Sequence, residues 1–148
     1  MKALIEWVEE KKQEEVRIRL LKGDASAEAL REYVELENWR IVSLPGRKDG
    51  ELCRIKSSDI LYIDSVNEVQ YLHTQNGVYE TRERLYQLER MLPVTFLRIS
   101  RAVIYNRERA VGYRPLLNGM MEVLMENGES VYISRRYLRD VRDKLLEG

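Results

Sequence analysis

One cysteine, Cys53, occurs in the 148 residues. An internal disulfide and a thiolate metal cluster are therefore excluded. A single histidine, His73, excludes a multi-histidine metal site and removes most acid–base schemes. Glycines 46, 50, 77, 112, 119 and 128 each stand alone in a turn context, so no phosphate-cradling loop is present. The acidic pairs Glu9-Glu10 and Glu14-Glu15 lie in a polar turn. With no set of titratable groups that can converge, the expectation is a protein that is not an enzyme and needs neither cofactor nor metal. No apolar run approaches the roughly 20 residues of a membrane span. The opening residues, MKALIEWVEEKK, hold no apolar segment of signal-peptide length. A cytoplasmic protein is the expectation. There is one phenylalanine, and most tyrosines fall at strand or helix core positions, which disfavours an RNA-stacking surface.

Net charge is also absent: 25 basic residues balance 25 acidic ones. That sum disfavours nucleic acid as a partner, but its distribution says more. Residues 82–109 carry seven arginines (82, 84, 90, 98, 101, 107 and 109) against glutamates 83, 89 and 108. Arg135, Arg136, Arg139, Arg142 and Lys144 crowd the C-terminal stretch. Between Lys56 and Lys144 every basic residue of the Lys/Arg type is arginine. Its planar fork binds phosphate and guanine at two points, as lysine cannot. Solvated helix faces would account for the same pattern.

Residues 2–7 and 16–21 alternate in polarity and read as strands. Leu30 and Val34 form the stripe of an amphipathic helix over 25–38. A strand over 41–44 stops at Pro45-Gly46, and residues 51–56 alternate again. From 57 onward the punctuation is regular. Residues 60–66 read as a strand, and residues 68–82 as a hairpin around Asn76-Gly77. Residues 84–92 form a helix ended by Pro93, and residues 96–106 a strand. A second hairpin surrounds Asn127-Gly128, and a terminal helix runs over 135–146. Three Asn-Gly pairs, at 76, 118 and 127, are the hairpin signal, because type I′ turns need positive φ at both central residues. The expectation is a small β-β-α unit over 1–56 and a mainly β domain with accompanying helices (α+β) over 57–148.

The order ILYIDS, paired leucines, FLRISRAVIYN, Asn118-Gly119, Asn127-Gly128-Glu129 and SRRYL resembles the LytTR family of bacterial DNA-binding domains over about residues 57–148. The resemblance implies stacked antiparallel β-sheets with an internal and a C-terminal helix. It also implies that loops, rather than a recognition helix, enter major grooves. Its implied DNA-contacting positions fall near Gln70, with Asn67 and Glu68 beside it, on Ser100 and Arg101, and on Ser134, Arg135 and Arg136. Glutamine suits adenine and arginine suits guanine, while serine hydroxyls suit phosphate oxygens. The structural alternatives are a solvent-facing Gln70, an Arg101 paired with Glu108 or another acid, and an Arg136 that solvates the last helix. Arg98, inside the same motif, is read as an ion-pair partner rather than a reader. Arg82 and Arg84 are candidates for phosphate contacts.

Met120 follows Gly119 where relatives often carry a basic residue. Many relatives carry a phosphate-accepting receiver of about 120 residues; no acidic triad ends a strand in the residues before the domain here, so phosphorylation by a sensor kinase is not expected. The arrangement resembles stand-alone LytTR regulators, which implies a small membrane protein as restraining partner; because one small domain contacts few bases of double-stranded DNA, a homodimer on paired sites is expected. Residues 1–56 are then the candidate dimerisation or regulatory cap, although Trp7, Trp39, Leu30 and Val34 would equally suit packing onto a sheet of its own. The competing reading is a protein-interaction adaptor without DNA binding.

Overall fold

A computed structural model describes residues 1–147, apart from the side chains of Asn38 and Glu147. The last residue of the expected 57–148 domain lies outside that range. The chain divides into two compact units, residues 1–39 and residues from 40 onward.

The first unit holds α1 (Ala27–Glu35), close to the expected helix. Asp24 precedes it, and its carboxylate accepts a hydrogen bond from the Ser26 backbone at 2.9 Å. The side-chain and backbone bonds from Ser26 hold the Asp24 carboxyl below its usual range. The strands expected over 2–7 and 16–21 do not form. Alternation chooses which side chains share a face, but a strand also needs a neighbour for its N–H and C=O groups, and these segments have none among the described residues. Trp7 is 89% exposed and Trp39 44% exposed, so neither is packed into a cap sheet.

Among the described residues the second unit contains ten strands and two α-helices. They are β1 (Ser43–Lys48), β2 (Glu51–Lys56), β3 (Ile60–Val66), β4 (Val69–Thr74), β5 (Gly77–Thr81), α2 (Leu85–Met91), β6 (Phe96–Arg98), β7 (Val103–Asn106), β8 (Ala110–Pro115), β9 (Met121–Met125), β10 (Ser130–Ile133) and α3 (Arg135–Glu147). The large antiparallel sheet runs β2-β1-β5-β4-β3-β7-β6, and the small one β10-β9-β8. β1 continues through Pro45-Gly46. It meets β5 only at Arg47 opposite Glu80, so the missing N–H of Pro45 interrupts no ladder on that side. The segment 96–106 is two strands, with residues 99–102 as the link between them.

β3 and β7 are interior strands of the large sheet and are largely buried. Ile60, Ile63, Leu72 and Ile104 pack with Leu85 and Leu88 of α2 and with Leu92 just after it. Leu61, Tyr62 and Tyr105 pack toward Val123, Val131 and Ile133 of the small sheet and Val141 of α3. Each fully buried large aliphatic side chain stabilises the fold by about 1.5–3 kcal/mol. The paired leucines therefore hold α2 against one face of the sheet that carries the loops described next.

The turns explain where those loops go. Asn67 and Glu68 both have positive φ, at 50° and 66°, and Val66 pairs with Val69 around them. That is the two-residue type I′ geometry, in a sequence without glycine. At Asn118-Gly119 and Asn127-Gly128 only the glycine has positive φ, at 85° and 88°. There the asparagine side chain instead accepts a hydrogen bond from the N–H two residues on, at 3.0 Å for Met120 and 3.1 Å for Glu129. The hairpins form where the glycines stand, but with longer loops than the I′ rule implies.

Candidate nucleic-acid interface

Three segments distant in sequence meet through the backbone. The N–H of Ser65, at the end of β3, donates to the carbonyl of Ala102 at 2.8 Å. The N–H of Ser134, just before α3, donates to the carbonyl of Ile99 at 2.9 Å. Residues 99–102 thus sit between the β3–β4 turn and the start of α3. A fourth loop joins them, because a Cβ placed on Gly119 would stand 2.8 Å from Cδ of Arg135. The alkyl stem of Arg135 lies in the space left by that glycine.

The structure brings together five of the six expected residues as surface groups and removes the sixth. Arg101, Arg135 and Arg136 are exposed. Among the described residues none of their guanidinium groups forms an ion pair or hydrogen bond, so the expected alternative of Arg101 paired with Glu108 is not realised. Ser100 is half-buried, and its Oγ accepts from the Ala102 N–H at 3.3 Å, which leaves its hydroxyl proton free to donate. Ser134 is half-buried, and its carbonyl accepts from Tyr137 N–H at 3.0 Å at the start of α3.

Gln70 does not belong to this surface. It is 2% exposed. Its Oε1 accepts from Ser65 Oγ at 2.7 Å, and its Nε2 donates to the Glu83 carbonyl. The amide holds the base of the turn to the segment after β5, and it cannot meet a base edge without breaking both bonds. It is buried, unlike the solvent-facing residue of the alternative. The exposed groups at that turn are Asn67 and Glu68. Glu68 lies 3.9 Å from Arg84 in a pair with both side chains mostly in solvent, which contributes little.

Arg98 is engaged rather than free. Its guanidinium donates to the carbonyls of Ser100 and Arg101 and to Glu89. His73 is half-buried, stacked on Tyr62 with ring centroids 4.1 Å apart, and its Nε2 lies 2.9 Å from Asp64 Oδ1. No cluster of three or more His, Cys, Asp or Glu side chains suited to a metal occurs among the described residues. No helix in the described residues is long and apolar enough to cross a membrane.

The two-sheet architecture is that of a LytTr DNA-binding domain. A solved LytTr DNA-binding domain from Bacillus cereus superposes with a TM-score of 0.67, covering 70% of this chain and 95% of that one at 21% identity. The sequence pattern of the LytTr DNA-binding domain family matches residues 50–146. This chain belongs to the LytTR family. Curated relatives are named uncharacterized HTH-type transcriptional regulators. One from Staphylococcus aureus strain NCTC 8325 is 31% identical over 103 residues, 70% of each chain. One from strain MRSA252 is 30% identical over the same span.

Proposed function

We propose that the protein is a transcription regulator that binds double-stranded DNA sequence-specifically through the loops of its β-rich domain. The observation that carries this reading is the meeting of three reader segments through the Ser65–Ala102 and Ser134–Ile99 bonds, with unpaired guanidiniums on Arg101, Arg135 and Arg136. Bidentate arginine is the commonest partner of guanine O6 and N7 in the major groove. Half-buried Ser100 and Ser134 offer hydroxyls for phosphate, fixing register rather than sequence. At the third segment the reading groups are Asn67 and Glu68, suited to adenine and to the cytosine amino group respectively. A helix-turn-helix needs two consecutive helices. Here α2 and α3 are separated by β6 to β10, which favours loops as the reading elements.

One such domain touches few bases, and pairing two copies on adjacent sites multiplies affinity. A homodimer on paired sites is therefore part of the proposal. The exposed Leu4, Ile5 and Trp7 offer apolar area for dimerisation or for a membrane-protein partner.

The test is selection of bound duplexes from a random pool, followed by affinity measured against salt. The reading expects an enriched, paired motif. It also expects log K to fall linearly with log salt, as released counterions require. A pool that stays random, together with a flat salt response, would leave the adaptor reading in its place.

A further inference from the structure

We propose that Arg98 is the positioning residue of the Arg101 reading loop, and that Glu89 of α2 holds it in that role. The inference rests on the DNA-binding reading above and assigns the group that fixes one of its readers. Nε of Arg98 donates to the Ser100 carbonyl at 2.7 Å. Nη2 donates to the Arg101 carbonyl, and Nη1 to Glu89 Oε2 at 2.9 Å.

The two carbonyls belong to the two peptide planes that flank the Arg101 Cα. A peptide plane is rigid, so the backbone around a Cα has only φ and ψ to turn. One guanidinium grips both planes and thereby sets both angles at Arg101. The aim of the Arg101 side chain follows from them. Lysine cannot do this, since its single ammonium lacks the planar fork. The Arg98 side chain is 21% exposed and faces the Glu89 carboxylate. Its charge is thus answered within the protein, whereas the Arg101 guanidinium next to it is unpaired. Glu89 in turn sits on α2, which Leu85 and Leu88 bury against the sheet. The loop is referenced through two side chains to a packed helix, an arrangement that lowers the ordering cost of binding.

A double-mutant cycle tests this on the full chain, with the selected duplex and a second duplex changed at the base pair that Arg101 reads. The readouts are the affinity ratio of the two duplexes, the salt slope and the melting temperature. Arg98→Lys should cut discrimination about tenfold in the parent protein, the size of one base contact. In an Arg101→Ala background it should cut discrimination less than twofold, because the group being positioned is gone. Glu89→Gln, on the solvent side of the clamp, should act in the same direction with less effect. It serves if Arg98→Lys does not fold. Arg98→Gln should leave the salt slope unchanged. Equal losses in both backgrounds would overturn the proposal, as would a slope about 0.9 shallower for Arg98→Gln, which would mark a direct phosphate contact. If the parent protein enriches no sequence, the DNA reading falls and the clamp falls with it. If the parent enriches a motif but the cycle is additive, only the clamp falls.

Discussion

The backbone N–H of Ser134 donates to the carbonyl of Ile99 at 2.9 Å. Arg101 and Arg136 lie two residues beyond its two ends, so this bond brings together the segments that carry the two arginines. Arg101→Ala and Arg136→Ala should each weaken binding to the selected duplex by about 1–3 kcal/mol and relax preference at one base position. Fluorescence anisotropy on a panel of single-base variants measures both effects. Unchanged panels for the two variants would remove the reader assignment.

Gln70 should respond as a structural residue. Removing its amide leaves the half-buried Glu83 carbonyl and Ser65 hydroxyl without their partner. Gln70→Ala should lower unfolding stability by about 1–3 kcal/mol. Urea denaturation reads this directly. The salt slope of DNA binding should stay as in the parent, since no phosphate contact is lost.

Glu68 holds φ at 66°, where a residue with a Cβ is strained by about 1–2 kcal/mol. Glu68→Gly should therefore raise the denaturation midpoint while weakening base discrimination at the outer edge of the site. A turn that gains stability and loses selectivity is the expected behaviour of a strained functional tip. A variant that gains stability with selectivity intact would place Glu68 outside the interface.

Two tyrosines set an alkaline limit. Burial, then its hydrogen bond with Tyr113, raises the Tyr105 phenol well above the usual tyrosine range. Burial, then the Glu129 charge, does the same for Tyr62. Each neutral phenol is favoured in the folded state. The stability it contributes is complete below the unfolded value near 10 and is lost as pH rises through the folded value. The urea midpoint should fall from about pH 10 upward. It should fall less steeply in a Tyr62→Phe, Tyr105→Phe variant, and equal slopes would contradict the assignment.

Much of this was legible in the chain because local chemistry decided it. The glycine hairpins, the leucines of α2 and the arginines near Ser100 and Ser134 follow from turn geometry, helical spacing and motif order. The burial of Gln70 follows from parity rather than polarity. It alternates in phase with Leu72 and Thr74, both buried, and that phase was the available signal for a core-facing amide. The strands expected over 2–7 and 16–21 do not form for a related reason. Polarity alternation describes a face, while strand formation depends on a partner elsewhere in the chain. The Arg98 clamp was only partly readable. Its ion pairing is suggested by charge, but its grip on two successive carbonyls exists only once the link 99–102 has folded back.

That link accepts a hydrogen bond at each end, one from Ser65 and one from Ser134. Lengthening it by even one residue would dislodge both neighbours at once. On the proposed reading, new target sequences are therefore more accessible to this scaffold by exchanging side chains than by inserting residues, and diversification should be confined to substitution at fixed loop length.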